Sequence, residues 1–357
     1  MGYTPYPYGN IQQENPCIAV SNDKINWVTP EGLTNPLDDF PGEGVGTNSD
    51  THLVYIEDTG VLELWWRTYN MPNKWVTLFR RTSTDGINWT PKEAVYESGI
   101  GKDVISPSII FEDGKYKMWS VSMSPHKIQY CETASEDMSS WTDNVPLDID
   151  FGSFTPWHMD IERTDIGYEI VVSERTTTDD FTRDVFHLVQ NFDGTFTKPK
   201  RIIKVSSDPY AIDNVLMYRP CLIKEKGVYY IYYSFQDKAG RWGLSLAYGT
   251  DVQSLKGIEP TIKSIQLNDG DVLDNFVISG VDTLILPHSG TVTINSFEGA
   301  KVGQRVRIIA TSSSSKAVFN YSSELRTPEN KNGVILDIVK RVATVDFIQY
   351  GSEILGF

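Results

Sequence analysis

The sequence predicts an all-β protein, a five-bladed β-propeller followed by a small C-terminal β domain. Three observations predict this architecture. A turn motif recurs about every fifty residues, strand-like runs precede the turns, and no stretch of comparable length shows helical periodicity. Repeats of this length, each with several short strands rich in aromatic and β-branched residues, are typical of propeller blades.

The turn motif places an aspartate a few residues before an aromatic or apolar side chain. An Asp-Gly pair or a close substitute makes a tight turn between strands, and the side chain after it packs between neighbouring sheets. Five such turns predict five sheets, and Trp27, Trp89 and Trp141 are predicted to be structural. The copies of the motif are residues 21–27, 83–89, 135–141, 191–196 and 249–255.

Pairs of strand-like runs, joined by a hairpin signal, stand upstream of the last four turns. The N-terminal turn has only one short run, residues 17–20, and forms a half unit. We expect this half unit to supply outer strands that close the ring with the chain's other end, because closure leaves no unpaired sheet edge. A four-bladed ring with an N-terminal extension is the alternative. The pairs are residues 52–55 and 62–66, 108–111 and 116–119, 160–162 and 168–172, and 221–224 and 229–233.

Two domains are predicted, a propeller over residues 1–260 and a C-terminal β domain over residues 274–357. Aromatic content falls in the second, and strand-like runs rich in β-branched residues take over. About eighty residues make a small core, so we expect this domain to share its core with other copies of the chain. The runs are residues 282–287, 290–294, 302–310 and 342–348.

Composition excludes several classes of partner. The formal charge is -15, and its excess lies on residues 1–273, which makes the chain a poor partner for nucleic acid or an anionic membrane. Neither a long apolar run nor a secretory signal is present, so membrane insertion is not expected. Cys17, Cys131 and Cys221 have no metal-ligand spacing and are predicted to be buried free thiols.

Two parts of the chain resemble known phage proteins. Residues 14–23, with 35–37 and 49–55, resemble the five-bladed propeller of tail receptor-binding proteins from phages of Gram-positive bacteria. Residues 284–287 and 302–310 resemble the trimeric β tip of phage fibres and spikes. The architecture is also similar to glycoside hydrolases of the arabinanase and invertase type.

This resemblance implies a homotrimeric protein of the phage tail, located in the virion. Its partners would be a host cell-surface glycan, either cell-wall polysaccharide or teichoic acid, and other phage tail proteins. Two alternatives stay open, because fold alone does not decide function. One is a glycoside hydrolase-like depolymerase that cleaves the glycan, and the other is a purely structural tail component.

Alignment of the repeats predicts which residues surround the propeller axis, where the innermost strands begin. A glycan site needs polar groups for hydroxyls, aromatic faces for sugar rings and an arginine for any phosphate or carboxylate. Arg67 and Arg175 are weaker candidates for this glycan site. The aligned positions are Asp50, Ser106, His158 and Arg219, then His52, Ser108, Asp160 and Cys221. The predicted ligand-binding residues are Asp50, His52, Trp157, His158, Asp160, Tyr218 and Arg219.

Cleavage of a glycan would need two carboxyl groups, one acid and one base or nucleophile. If the protein is an enzyme, the resemblance to hydrolases assigns Asp50 as the base, Asp160 as its partner and Glu174 as the donor, with Asp103 as a further candidate. An aspartate before a propeller strand often only caps a turn, so binding without cleavage is the favoured hypothesis.

No metal or other cofactor is predicted. With only five histidines in the chain, His52 and His158 have no evident closed ligand set, and the acidic pair at residues 179–180 is expected to be a solvated turn rather than a calcium site. The aromatic residues inside strands are expected to fill the layers between blades. They are Trp65, Trp66, Tyr232 and Tyr233.

Overall fold

The protein, seen in a computed structural model, divides into two compact units, residues 1–258 and 259–357. No helix in the described part of the chain is long and apolar enough to cross a membrane. The structure describes residues 1–6, 9–134, 138–175, 182–206, 213, 215–236, 240, 242–257, 263–274, 276–277, 281–298, 305–309, 314–320, 325–326, 334–337, 344–350 and 353–356.

The first unit is a β-propeller, which confirms the predicted fold class. It begins with a two-stranded sheet of β1 (Gly2–Tyr3) and β2 (Cys17–Ile18). Four antiparallel sheets follow, and in each the strands pair in sequence order. The blades are β3 (Gly46–Ile56), β4 (Val61–Asn70), β5 (Trp75–Ser83) and β6 (Glu93–Glu97); β7 (Ile105–Glu112), β8 (Lys115–Met123), β9 (His126–Glu132) and β10 (Val145–Pro146); β11 (Thr155–Thr164), β12 (Gly167–Arg175), β13 (Thr182–Gln190) and β14 (Lys200–Ile203); and β15 (Leu216–Glu225), β16 (Val228–Gln236), β17 (Trp242–Gly249) and β18 (Lys256–Gly257).

Apolar layers between successive blades form the core. Trp65 of the first blade packs with Met118 of the second, and Trp119 of the second packs with Ile170 of the third. These large side chains remove much apolar surface from water, which is the main force holding blade to blade. The four aromatic residues expected to be structural are all buried. They are Trp65, Trp66, Tyr232 and Tyr233.

The number of blades differs from the prediction, because the described residues form four four-stranded sheets in this unit and not five. The N-terminal half unit adds only the β1–β2 sheet and an isolated bridge between Val20 and Val28. The chain from there to β3 carries Pro30, Pro36 and Pro41, which cannot donate ladder hydrogen bonds. A turn motif therefore occurs without the sheet that it accompanies elsewhere.

The half unit nevertheless packs against both ends of the row of blades. Ile18 joins a cluster with Trp66 of the first blade. Trp27 meets Tyr232 of the fourth blade edge to face, with ring centres 5.7 Å apart, and Lys24 pairs with Glu225 at 3.0 Å. The N-terminal segment thus contacts the first and fourth blades, but its strands β1 and β2 pair with each other rather than with either blade, as in the alternative of a four-bladed ring with an N-terminal extension.

In the second unit, strands from successive segments of the chain pair in parallel to form two sheets. Its strands are β19 (Lys263–Gln266), β20 (Val272–Leu273), β21 (Phe276–Val277), β22 (Val281–Ile285), β23 (Ser289–Ile294), β24 (Phe297–Glu298), β25 (Arg305–Ile309), β26 (Ser314–Phe319), β27 (Leu325–Arg326), β28 (Val334–Asp337), β29 (Thr344–Tyr350) and β30 (Glu353–Gly356). Leu284 of β22 lies beside Ile308 of β25, and Ile294 of β23 lies beside Phe319 of β26, all of them buried. Antiparallel strands complete both sheets.

Candidate functional site

Each innermost strand of the propeller is interrupted at the position that the repeats align. Asp50, Ser106 and Arg219 have positive φ angles of 52°, 48° and 26°. Non-glycine residues seldom adopt such angles, and a β-bulge redirects the side chain next to it. The pairing register shifts between Ser49 and His52, Ile105 and Ser108, Pro156 and Met159, and Tyr218 and Pro220.

The redirected side chains meet one another across the blades. The Ser106 N–H donates to Asp50 Oδ2 at 3.0 Å, and Ser106 Oγ lies 2.6 Å from His158 Nδ1. Arg219 donates to Asp50 Oδ1 and, at 2.6 Å, to the Thr51 carbonyl. Asp50, His158 and Arg219, which the sequence placed at equivalent positions of three blades, therefore share one site.

A second layer of polar contacts lies two residues further along the inner strands. Ser108 Oγ donates to Asp160 Oδ1 at 3.1 Å, and the Leu222 N–H donates to Oδ2 at 2.9 Å. His52 Nδ1 lies 3.4 Å from the same carboxylate, and its Nε2 lies 3.0 Å from the Ile109 carbonyl. Burial opposes the charge of Asp160, but His52 and the Leu222 N–H outweigh it and lower the pKa. This layer ties the blades together.

Glu14 is a site residue that repeat alignment missed. It follows a 3-10 helix, Ile11–Gln13, and its neighbour Asn15 accepts a 3.0 Å hydrogen bond from Asn48 of β3. Burial and the negative charge of Asp50 raise the pKa of the half-buried Glu14 to about 8, although Arg219 and Arg67 act against this rise. Glu14 is therefore largely protonated at neutral pH.

The charge of Asp50 is stabilised by the same surroundings. Burial opposes ionisation of Asp50, but the positive charge of Arg219, the His158 imidazole, the positive charge of Arg67 and the Ser106 N–H outweigh it and lower the pKa. Two interacting carboxyl groups thus have pKa values shifted in opposite directions, a pattern that acid–base pairs in enzymes also show. We call Glu14, Asp50, Arg67, His158 and Arg219 the charged cluster.

The charged cluster keeps polar atoms without a partner among the described residues. They are Arg67 Nε and His158 Nε2, which are buried and make no hydrogen bond. Burial lowers the pKa of His158 to about 3, so its imidazole is neutral. Arg67 uses one guanidinium nitrogen to donate to Ser49 Oγ at 3.0 Å. Unsatisfied buried polar atoms are unusual, and in this cluster they offer free hydrogen-bonding capacity to a ligand or water.

A chain of aromatic rings leads away from the charged cluster. The Tyr218 ring lies 4.1 Å from the His158 ring and 5.5 Å from that of Trp242, which lies 6.4 Å from Tyr6. The Trp157 ring lies 5.4 Å from the His158 ring. We call Tyr6, Trp157, Tyr218 and Trp242 the aromatic row. The sequence predicted Trp157 and Tyr218, whereas Tyr6 and Trp242 carry no repeat signal.

The weaker candidates lie at separate points. Glu174 and Arg175 end β12, where Glu174 is half-buried opposite Pro156 and Arg175 stacks 4.5 Å from the centre of the Trp157 ring. Asp103 precedes β7, and its backbone carbonyl accepts a 2.9 Å hydrogen bond from Gln129. The acidic pair at residues 179–180 lies outside the described residues.

The prediction of three buried thiols is wrong for Cys221. Cys17 and Cys131 are buried, but Cys221 of β15 is exposed. Desolvation of the thiol and the negative charge of Asp160 raise its pKa well above its ordinary value, so the thiol is protonated.

Metal-ligand groups and grooves outside the charged cluster are the other features of the described residues that could form a site. No three histidine, cysteine, aspartate or glutamate side chains in that part come together in a way that could hold a metal ion. A groove of about 490 Å³ lies at the edge of the first two blades, between residues 94–98 and 138–144. None of the charged cluster lines it.

The chain is similar to carbohydrate-processing enzymes. It is 24% identical over 237 residues to the A type blood N-acetyl-alpha-D-galactosamine deacetylase of Flavonifractor plautii, a match covering 54% of this chain and 31% of that protein. The chain thus spans about a third of the curated relative that it matches. No protein-family model matches the chain.

The chain also resembles solved structures. The N-acetylgalactosamine deacetylase from F. plautii, in complex with blood group B trisaccharide, matches with a TM-score of 0.61 at 18% identity, over 70% of this chain and 84% of that one. The catalytic domain of the Coprinopsis cinerea GH62 α-L-arabinofuranosidase matches with a TM-score of 0.43 at 12% identity, over 64% and 71%. The first of these likenesses is evidence of a common propeller architecture.

Proposed function

We propose that the protein is a glycan-processing hydrolase whose substrate binds over the charged cluster. One relationship carries this proposal, namely that Glu14 and Asp50 interact while burial raises the pKa of Glu14 and Arg219 helps to lower that of Asp50. An acid and a base of opposite pKa shift are the pair that hydrolysis of a glycosidic bond requires. The similarity to carbohydrate-processing enzymes supports this alternative better than the attachment protein favoured from sequence.

The proposed reaction uses the two carboxyl groups in separate roles. Glu14 gives its proton to the leaving oxygen as the bond from that oxygen to the anomeric carbon breaks. Asp50 accepts a proton from the water that supplies the new oxygen on that carbon. Although Arg219 and the Ser106 N–H engage the Asp50 oxygens, a carboxylate has about four acceptor positions, so capacity for this water remains.

The other members of the charged cluster would hold the sugar. A neutral imidazole and a guanidinium with an unused N–H suit hydroxyl groups, which both donate and accept hydrogen bonds. The name of the curated relative adds a second candidate bond, the amide of an N-acetylated sugar. Hydrolysis of that amide would release acetate instead of a new reducing end.

The experiment incubates the purified protein with cell-wall polysaccharide of a Gram-positive bacterium and with a GalNAc-terminated trisaccharide. Retention, reducing ends and acetate are measured together. We expect reducing ends from the wild type, and retention without release from Asp50→Asn. Release of acetate alone would replace glycosidic cleavage with deacetylation. Retention by the wild type without either product would contradict the enzyme.

Attachment without cleavage is the second candidate. It is favoured by the contacts of Asp50, whose carboxylate links the first blade to both the second and the fourth and so has a structural use. In that case the protein would be a homotrimeric tail component, and several copies would multiply a weak affinity for a host glycan. Light scattering tests it, since the chain should be a trimer and become a monomer when residues 274–357 are removed.

A further inference from the structure

The aromatic row has a fixed direction relative to the charged cluster. Tyr218, next to His158, lies mostly inside the protein, and burial is the main cause that raises its pKa. Further out, Trp242 is 36% exposed and Tyr6 is 37% exposed. Trp242 and Tyr6 are thus more accessible to solvent than Tyr218, which lies nearer to Asp50.

The backbone of the fourth blade dictates which way Trp242 faces. In a strand, neighbouring side chains point to opposite faces of the sheet. Gly243 has Phe235 directly across from it, and a Cβ atom on Gly243 would stand only 2.4 Å from the Phe235 ring. Phe235 fills that face and packs in the core shared with the third blade, so Trp242 lies on the opposite face.

That opposite face is the one that carries Tyr218. Tyr218 and Leu244 are both paired with Ser234, and Leu244 lies two residues from Trp242, so the three side chains belong to one face of the blade. The face meets the N-terminal segment, since Trp242 contacts Tyr6. On one face of the blade, Phe235 leaves no room for a side chain at position 243. On the other face, the Trp242 indole remains partly exposed, which indicates a surface that can bind a ligand.

Carbohydrate is the chemistry that fits such a surface. Sugar rings offer flat C–H faces that pack on aromatic rings, while their hydroxyl groups remain in contact with water or polar side chains. The Trp242 and Tyr6 rings meet edge to face with their centres 6.4 Å apart, and Trp242 also contacts Tyr218, so the three rings form one apolar surface. The large apolar rings therefore stand where the next units of a bound oligosaccharide would lie.

We infer that Trp242 and Tyr6 form a second sugar subsite, which makes an oligosaccharide, rather than a single sugar, the substrate of the charged cluster. This inference rests on the proposed function, because it takes the charged cluster as the place of the first unit. The unit processed lies over Glu14 and Asp50. The adjoining units extend along the aromatic row and stack on Trp242 and then Tyr6.

The test measures binding of size-fractionated fragments from a partial acid hydrolysate of Gram-positive cell-wall polysaccharide. Trp242→Ala should weaken binding of fragments of three or more units about tenfold and binding of single units less than twofold. Tyr6→Ala should act in the same direction on the longest fragments. Tyr248→Ala is the matched control, since Tyr248 is 42% exposed on the same strand and contacts only Tyr230 among the described rings.

The outcomes separate this inference from the function on which it rests. Equal losses for single units and long fragments in Trp242→Ala would overturn the second subsite while leaving the charged cluster in place. So would a wild-type affinity that does not grow with fragment length. If the wild type neither binds nor alters any fraction, the proposed function fails as well. An unchanged circular dichroism spectrum and melting temperature would show that the variants fold.

Discussion

Arg219 of the fourth blade donates a hydrogen bond to Asp50 of the first blade, although 169 residues separate them. The two blades are the ends of the four-sheet series, so this ion pair joins the ends of the ring at its axis. Asp50 also accepts from the Ser106 N–H of the second blade. One carboxylate thus connects three blades and belongs to the proposed active site.

Removal of Arg219 should destabilise the fold. We expect Arg219→Met to lower the free energy of unfolding by about 3 kcal/mol, because it leaves the buried charge of Asp50 without its main partner. Urea unfolding followed by tryptophan fluorescence measures the loss. Arg163→Met is the control, since Arg163 pairs with Glu112 at the surface and should cost less than about 1 kcal/mol. Equal losses in the two variants would contradict a structural role for the Arg219 pair.

The proposed reaction should depend on pH through Glu14. Glu14 must hold its proton, so the rate should fall as the pH rises through about 8. On the acid side the rate should persist to pH values below the ordinary pKa of an aspartate, because the pKa of Asp50 is lowered. The pH profile of kcat/KM measures both limbs.

Glu162 provides the matched control for this profile. Burial and the charges of Asp160 and Glu169 raise its pKa to about 7, but it is not part of the charged cluster. Glu162→Gln should leave the alkaline limb in place, whereas Glu14→Gln should remove activity at every pH. If the alkaline limb disappears only in Glu162→Gln, the acid is Glu162 and its assignment to Glu14 is wrong.

The raised pKa values of Glu14 and Glu162 should also make the free energy of unfolding depend on pH. The folded state holds the protons of Glu14 and Glu162 more tightly than the unfolded chain, so their stabilising contribution is complete below pH 4.5 and is lost as the pH rises through about 7 and 8. The double variant Glu14→Gln with Glu162→Gln should lose less stability between pH 5 and pH 8.5 than the wild type. Parallel free-energy curves from urea unfolding would contradict the shifts.

The structural and functional aromatics should separate in a stability measurement. Trp65 is fully buried and donates to Glu63 at 2.9 Å, so Trp65→Ala should cost about 3–5 kcal/mol. Trp242→Ala should cost about 1 kcal/mol or less, since Trp242 is partly exposed. Thermal unfolding checks both values. A large loss in Trp242→Ala would mean that its ring serves the fold rather than a ligand.

The fold was largely predictable because a propeller repeats its chemistry. In the turn motif, Asp85 accepts from the Ile87 and Asn88 N–H groups, and Asp23 accepts in the same way, so the motif reports a local structure. A turn motif predicts only the local backbone conformation and not whether a four-stranded sheet forms next to it. The blade count was wrong because the first turn lacks its sheet, and prolines between β2 and β3 explain why.

The candidate site was predictable only where it coincides with the repeat. Asp50, His158 and Arg219 occupy equivalent positions, and bulges at those positions bring them together. Glu14 and Tyr6 lie on a segment without a repeat, and Trp242 is exposed at the start of a strand. Their proximity to the cluster depends on how the N-terminal segment packs, and no spacing in the sequence encodes that.

A crystal structure of Glu14→Gln with a bound wall-polysaccharide fragment tests the central claim most directly. The variant cannot donate the proton, so the fragment should remain intact. We expect its glycosidic oxygen within about 3 Å of the amide nitrogen that the substitution introduces, with one sugar over Asp50 and the next on Trp242. A fragment bound in the groove at residues 94–98 and 138–144, with the charged cluster empty, would contradict the account.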